Sequence, residues 1–194
     1  MTIRLSVLIA SVPERLEELA RMVGELKRQS EGRTVEILVL LENRKRTIGA
    51  KRNALVEMAK GDYVVFVDDD DMVESNFVQA LCDAIDGAPG TDCIVFDEGF
   101  YERGIFRKIV KHGIEYEHGE DDTYIYRKPN TRSCFAKRIA VRHKFLDISF
   151  GEDDEWASRA IQDIRHQTRI DAVLYQYRWI PKAPEWYWRA PDEA

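Results

Sequence analysis

The sequence lacks the features that mark membrane-inserted, secreted and metal-cluster proteins. No apolar run approaches the roughly 20 residues that a membrane span needs, and the N-terminus lacks the basic start and apolar segment of a signal peptide. The 3 cysteines include no CxxC pair, so neither a disulfide framework nor a zinc cluster is indicated. We therefore expect a cytoplasmic protein without a membrane span.

A surplus of positive charge is also missing. The formal net charge is −6 over 194 residues, which argues against broad binding to nucleic acid, since that needs a basic face. The basic residues are nevertheless unevenly spread, because residues 103–111 and 127–144 are rich in arginine and lysine. A basic side on an acidic protein is therefore expected.

The first half of the chain alternates apolar strand patterns with amphipathic helical patterns. We predict strands at residues 3–10, 35–41, 63–67 and 93–96, and helices at residues 14–29, 48–60 and 73–85. Continuous apolar strands separated by helices indicate an α/β fold, with a mostly parallel sheet and helices on both faces. Ligands bind such sheets at the carboxyl ends of the strands.

The second half is richer in tyrosine, glycine and charge. We predict a small antiparallel hairpin region, with strands near residues 106–110 and 124–127, then a helix at 153–165 and a strand at 170–177. We expect a single domain over residues 1–179, with a nucleotide-binding half (1–98) and an acceptor and catalytic half (99–179), and a tail at 180–194. Trp179, Trp186, Tyr187 and Trp188 are expected to pack on the sheet edge or to form a homo-oligomer contact, with stacking on a sugar or a nucleobase as the alternative.

Four consecutive aspartates, Asp68 to Asp71, follow the third predicted strand. Clustered carboxylates repel one another unless a cation or hydrogen-bond donors compensate. Mn²⁺ and Mg²⁺ prefer carboxylate oxygens, and phosphates complete their coordination. The run therefore indicates a metal–diphosphate site, with an acidic loop in which Asp71 caps the next helix as the structural alternative.

Two further segments place charges at predicted helix starts. Residues 47–53 open a helix with Gly49 followed by the cations Lys51 and Arg52. A helix N-terminus attracts anions and arginine offers planar donors to phosphate, although a solvated helix face is the alternative. The acidic residues in 150–155 either complement a helix dipole or supply a general base.

Taken together, these segments resemble a family-2 glycosyltransferase of the GT-A fold, in the small stand-alone form that includes phage-encoded members. The resemblance rests on residues 6–15, on the Lys51-Arg52-Asn53 element, on the Ala-x-Gly-Asp-Tyr segment that leads into the aspartate run, and on Glu152-Asp153. Their order and spacing match over roughly residues 3–177. For a phage-encoded protein, the expected location is the host cytoplasm.

The resemblance implies a role for each matching residue. Asp68 and Asp70 match the Asp-x-Asp motif, with Asp70 as the metal ligand for Mn²⁺ or Mg²⁺, although Asp69 and Asp71 leave the register open by one residue. Asp153 matches the catalytic base, with Asp154 as the fallback. The residues expected to bind the nucleotide-sugar are Ser11, Pro13, Glu42, Lys51, Arg52, Asp68 and Asp69.

The implied activity is metal-dependent transfer of a sugar from a nucleotide-diphosphate sugar, expected to be a UDP-sugar, to an acceptor hydroxyl with inversion. A nucleotidyltransferase and a non-catalytic nucleotide-sugar-binding module are the alternatives, and a glycan or modified phage DNA is the expected acceptor. The chain departs from the family at Glu42-Asn43, where many members have an aspartate that reads the base. A late metal-binding histidine is not evident either, which predicts weaker retention of the metal.

Overall fold

The structure, a computed structural model, describes residues 2–180 and places ten strands in one sheet. The strands are β1 (Leu5–Ser11), β2 (Val35–Leu41), β3 (Tyr63–Phe66), β4 (Met72–Val73), β5 (Cys93–Glu102), β6 (Ile105–His112), β7 (Gly119–Glu120), β8 (Tyr124–Arg127), β9 (Cys134–Ala136) and β10 (Gln167–Trp179). The helices are α1 (Leu16–Gln29), α2 (Ile48–Met58), α3 (Phe77–Gly87), α4 (Lys137–Arg142) and α5 (Glu152–Ala160). Short 3₁₀ turns occupy Pro13–Arg15 and Ile161–Asp163.

The strands that precede the polar loops all point the same way. β1 pairs in parallel with β2 and β3. β9 runs antiparallel to both β3 and β5, so β5 has the direction of β3, and β10 is parallel to β5. The carboxyl ends of these strands therefore meet along one edge of the sheet, as the predicted α/β fold requires.

Apolar side chains cover both faces of the sheet. On one face, α1 and α3 bury residues such as Leu26 and Phe77 against the strands. On the other face, α2, α4 and α5 bury a second cluster that includes Leu55 and Trp156. The Trp156 ring stacks on Phe145 with centroids 4.8 Å apart. This contact anchors the start of α5 to the segment that precedes it.

The predicted hairpin region is wrong in its pairing. Both strands exist, but β6 and β8 pair in parallel with each other. The antiparallel partner of β6 is β5, and that of β8 is the two-residue strand β7. The reason is that β5 continues well past its predicted end, to Glu102, and turns directly back into β6.

Several predicted boundaries also differ from the observed ones. The helix predicted from residue 73 begins at Phe77, because Met72–Val73 instead pairs antiparallel with β10. The late helix ends at Ala160, and β10 is longer than predicted at both ends. The strand β9 and the helix α4 were not predicted. β9 is shorter than two periods of strand alternation and α4 is shorter than two helical turns, so neither shows a clear pattern in the sequence.

Two other predictions concern membrane spans and the C-terminal end of the domain. Between residues 2 and 180, no helix has the length and apolar character to cross a membrane. Strand β10 ends at Trp179, which is partly exposed, and the single domain over residues 1–179 stays a prediction. The expected packing or oligomer role of Trp186, Tyr187 and Trp188 falls outside the described residues.

Candidate active site

The aspartate run folds as a turn in which alternate carboxylates have different surroundings. The turn closes after β3 through a hydrogen bond from the Asp71 amide to the Asp68 carbonyl at 3.2 Å. Asp69 and Asp71 are only 1% and 2% exposed. The side chains of Asp68 and Asp70 are 38% and 43% exposed. Two carboxylates therefore face inward and two face the open edge of the sheet.

Arg15 ties the first inward carboxylate to its outward neighbour. Its Nη1 donates to Asp69 at 2.8 Å and lies 3.0 Å from Asp70. The other Asp69 oxygen accepts a hydrogen bond from the Ser11 hydroxyl at 2.5 Å. The turn after β1 and the turn after β3 are thus fastened together, and the Asp69 carboxylate is occupied by protein donors.

Asp71 is fastened to β10 and does not cap a helix. Its carboxylate accepts hydrogen bonds from the Tyr175 hydroxyl at 2.8 Å and from the Arg178 amide at 2.7 Å. Burial, with the charge of Asp68, raises the pKa of Asp71 to about 8. The residue at the N-cap of α3 is Asn76. The expected alternative of an Asp71 helix cap is therefore wrong.

The outward carboxylates fit a divalent cation that is shared with phosphate. Mg²⁺ is usually held through one or two carboxylates, with waters and substrate phosphates as its other ligands. Among residues 2–180, no group of three or more aspartate, glutamate, histidine or cysteine side chains is placed to hold a metal by itself. Burial raises the pKa of Asp70 against the opposing charge of Arg15, and Asp68 raises it further. A cation at Asp68 and Asp70 would relieve that repulsion.

The residues expected around the nucleotide meet at the carboxyl ends of β1 and β2. The Lys51 ammonium lies 2.7 Å from the Glu42 carboxylate and donates to the Ser11 carbonyl at 3.2 Å. Lys51 is only 3% exposed, so its charge serves these protein partners. Pro13 is exposed and begins the 3₁₀ turn after β1.

Arg52 connects the aspartate run with the late Glu-Asp motif. Its Nη2 lies 3.6 Å from the Asp68 carboxylate, and its Nη1 lies 3.0 Å from the Glu152 carboxylate. The guanidinium sits 5.5 Å and 5.6 Å from the ring centroids of Phe66 and Phe145. A cation buried between two acidic motifs and two aromatic faces is held in one place. Two motifs that are distant in the chain thereby share one site.

The start of α2 also fixes the loop that leads into the Glu-Asp motif. The Asn53 side chain donates to the Phe145 carbonyl at 2.9 Å and accepts from the Phe145 amide at 2.8 Å. The Gly49 amide donates to the Ile148 carbonyl at 3.0 Å. A Cβ on Gly49 would lie 1.8 Å from the Leu146 carbonyl oxygen. Only glycine allows this close approach.

Asp153 lies in the first turn of α5 and lines a cavity of about 500 Å³. Gly151 precedes the helix with φ of 75°, a conformation that favours glycine. Asp153 accepts a hydrogen bond from the Asp154 amide at 3.0 Å, and Asp154 is exposed at the same cavity. Both expected candidates for the base therefore face space that a ligand can enter, although their position also complements the helix dipole.

The structure brings the expected site residues to one edge of the sheet in two groups. Ser11, Pro13, Glu42 and Lys51 lie with Asp69 at the ends of β1 and β2, while Arg52 joins Asp68 to the α5 side. Sequence reasoning gave no role to Arg15, Asn53, Glu152 or Tyr175. The first three stand inside motifs that the sequence displays, but nothing in their spacing shows which partner each one contacts.

A family model described as glycosyl transferase family 2 matches residues 18–149, more than half of the chain. This chain is a member of glycosyl transferase family 2. The match confirms the family indicated by the motifs. It ends before the Glu-Asp motif, so it does not extend to Asp153. No curated protein matches the family 2 chain significantly in sequence.

Solved structures share the fold of this family 2 chain. The crystal structure of S. aureus TarS 1–349 has a TM-score of 0.64 at 12% identity, covering 90% of this chain and 60% of the TarS chain. The same fragment in complex with UDP-GlcNAc has a TM-score of 0.64 at 12% identity, covering 96% and 61%. The complex with UDP has a TM-score of 0.62 at 12% identity, covering 91% and 60%. The likeness confirms the expected GT-A fold, and the family 2 chain spans about three fifths of that fragment's length.

Proposed function

We propose that this chain transfers a sugar from a nucleotide-diphosphate sugar to an acceptor hydroxyl. The observation that carries the proposal is Arg52, which lies between the Asp68 carboxylate and Glu152. Through Arg52, the half-exposed carboxylates of Asp68 and Asp70, which suit a metal bound to a diphosphate, lie close to the Glu152-Asp153 motif. Asp153, the neighbour of Glu152, opens onto a cavity that can hold an acceptor.

A UDP-sugar is the proposed donor. The TarS fragment, whose fold this chain shares, was crystallised with UDP-GlcNAc and with UDP. In our proposal the nucleoside lies at the ends of β1 and β2, where Pro13 is exposed and Glu42 follows β2. Ser11 and Lys51 hold that edge in shape through their contacts with each other and with Glu42.

The diphosphate is proposed to lie over Asp68 and Asp70. Mn²⁺ or Mg²⁺ held there would neutralise charge on the leaving diphosphate. Arg52 supplies a fixed cation beside Asp68, and because it is buried its attraction for phosphate is only weakly screened. Asp69 remains with Ser11 and Arg15 and positions its outward neighbours.

Asp153 is the proposed general base. The acceptor hydroxyl gives its proton to the Asp153 carboxylate while its oxygen forms a bond to the anomeric carbon. The bond from that carbon to the diphosphate oxygen breaks, and the electron pair leaves with the nucleoside diphosphate. A single displacement of this kind inverts the anomeric configuration. Asp154 is the alternative base.

The test follows the products from UDP-GlcNAc, UDP-glucose and UDP-galactose in the presence of Mn²⁺. We expect the wild-type protein to release UDP. Asp153→Asn should lower turnover by about 10²-fold or more, while its UDP binding stays unchanged. The matched control is Glu155→Gln, in the same helical turn but outside the cavity, and it should keep its rate. Loss of turnover in Asp154→Asn instead would move the base to Asp154.

The products also separate the other classes of function. Release of pyrophosphate or of a nucleoside monophosphate would identify a nucleotidyltransferase and would contradict the proposed sugar transfer. Binding of a UDP-sugar with no turnover in any mixture of candidate acceptors would identify a binding module.

A further inference from the structure

The cavity beside Asp153 differs in charge from the chain as a whole. It is bounded by β5, β6, β8 and α5, and none of the four consecutive aspartates lines it. Its permanent cations are Arg127, Lys128 and Arg132, against the carboxylates of Asp153 and Asp154. A chain with a net charge of −6 thus encloses a cavity in which positive groups outnumber negative ones.

These cations are not equally engaged by the protein. The Lys128 ammonium lies 2.8 Å from the Glu117 carboxylate. Arg127 donates to the carbonyls of Gly119 and Tyr126 and, among residues 2–180, has no carboxylate within ion-pair distance. Other cations of the predicted basic side are paired away from the cavity, as Arg107 is with a glutamate of β5. Of the three cavity cations, Arg127 is therefore the one that no carboxylate of the described residues pairs, whereas Lys128 pairs with Glu117 and Arg132 with Glu98.

Arg132 is held by a buried carboxylate that it engages only in part. Its Nε donates to the Glu98 carboxylate at 3.0 Å, and its guanidinium lies 4.5 Å from the Tyr177 ring centroid. His112 Nε2 lies 3.2 Å from the same Glu98 oxygen. Arginine and carboxylate can pair through two parallel hydrogen bonds, but here only Nε is used. Among residues 2–180 the terminal nitrogens of Arg132 have no hydrogen-bond acceptor, and its side chain is 15% exposed.

Given the glycosyl transfer proposed above, we infer that this cavity binds an acceptor sugar that carries a phosphate group. Arg132 and Arg127 receive the phosphate, while Asp153 takes the proton from a hydroxyl of the same sugar. The size of the cavity, about 500 Å³, suits one or two sugar units and is too small for a nucleic-acid duplex. Arg132 acts as an anion-binding residue that selects the acceptor.

The experiment measures binding by calorimetry with saturating UDP and Mn²⁺, so that the donor diphosphate site is filled. The probes are glucose 6-phosphate, glucose, glucuronate and inorganic phosphate. We expect glucose 6-phosphate to bind about tenfold or more tightly than glucose, the range of a charge-assisted hydrogen bond. Weaker binding of glucuronate and of free phosphate would show that both the phosphate and the ring contribute. Glucuronate binding as tightly as glucose 6-phosphate would overturn the choice of phosphate.

Two variants test the residues, and a third serves as the control. Arg132→Lys keeps a charge beside Glu98 and so protects folding, but it lacks the planar fork. Arg132→Lys should weaken the binding of glucose 6-phosphate by about fivefold or more, and Arg127→Met should do the same. Arg107→Met, on β6 but outside the cavity, should leave binding unchanged.

Three outcomes would overturn the inference. One is equal affinity for glucose and glucose 6-phosphate, including no measurable binding of either. Another is tighter binding of a short single-stranded DNA than of every sugar phosphate. The third is a loss of UDP affinity in Arg132→Lys that equals its loss of glucose 6-phosphate affinity, which would assign Arg132 to the donor. If UDP-sugars neither bind nor react, the proposed function fails instead. Binding and turnover of UDP-sugars in samples without a phosphorylated probe distinguish this outcome.

Discussion

Arg52 illustrates how a single buried charge links two parts of the site. It is 6% exposed, and its partner Glu152 is 4% exposed. Removal of either partner leaves the other charge buried, which typically costs about 3 to 5 kcal/mol. The pKa of Glu152 is raised, because the effect of burial outweighs the lowering by the positive charge of Arg52. The two charges are therefore expected to be coupled, so that loss of one is costly while the other remains.

A double-mutant cycle tests this coupling. We expect Arg52→Met and Glu152→Gln each to lower the free energy of unfolding, and the double variant to lose clearly less than the sum of the two. The expected interaction energy is about 1 kcal/mol or more, measured by urea denaturation at pH 7. Effects that add to within about 0.5 kcal/mol would contradict a direct contact.

Glu98 predicts a pH dependence of stability. Its side chain is fully buried, which raises its pKa, but Arg132 and His112 outweigh that effect and lower the pKa from 4.5 to about 2. A depressed pKa stabilises the folded state above the unfolded value. We therefore expect the contribution of Glu98 to be complete above pH 4.5 and to disappear as the pH falls towards 2.

The variant Glu98→Gln should show this window. At pH 7 it should be less stable than the wild type by about 3 kcal/mol, because Arg132 keeps a buried charge without its partner. The difference should shrink between pH 4.5 and 2, as followed by urea denaturation. Glu117→Gln, at an exposed glutamate, is the control and should change little. A difference that stays constant with pH would contradict the assignment.

Among the elements, α2 has two tasks, since it presents Arg52 to the site and holds the loop before α5. The helix begins at a Thr47 cap that accepts from the Ala50 amide. Its first residues contact the carbonyls of residues 145–148 through Gly49 and Asn53. The position of the Glu-Asp motif therefore depends on the packing of α2 against this loop.

Gly49→Ala tests that dependence. The new methyl group would overlap the Leu146 carbonyl oxygen, so the loop must move away from α2. We expect sugar transfer to fall by about 10²-fold, the cost of a displacement of roughly 1 Å near a reaction centre. Gly24→Ala, in the middle of α1 with open space around it, is the matched control. It should keep full activity and gain about 0.5 to 1 kcal/mol of stability, so equal effects of the two variants would refute the packing argument.

For the molecule as a whole, ligand binding at one sheet edge should stabilise the entire fold. UDP-GlcNAc at one hundred times its Kd should add about 2.7 kcal/mol to the free energy of unfolding. With Asp70 as metal ligand, the rise in Tm should require Mn²⁺ and disappear with a chelator. Asp70→Asn should unfold at nearly the wild-type Tm without ligand, because its pairing with Arg15 is partly exposed. An undiminished rise in Tm with UDP-GlcNAc in the presence of chelator would contradict the proposed metal requirement.

Much of the architecture could be predicted because its signals are local. Strand and helix periodicity identified β1, β2, β3 and the helices between them, and the motifs identified the family. The extension of β5 into a hairpin and the use of Met72–Val73 as a strand could not be predicted. Met72–Val73 and the extension of β5 both pair with β10, which lies far away in the chain, and the extension also pairs with the neighbouring strand β6.

Local pattern and residue type are enough to establish the alternating α/β order, the family and the clustering of carboxylates after a buried strand. They do so because periodicity and motif spacing are properties of neighbouring residues. Folding in three dimensions assigned different surroundings to each aspartate in the run, placed Arg52 against Glu152, and left Arg132 facing a cavity. Those features depend on burial and on partners from distant segments, and both arise only when the sheet assembles.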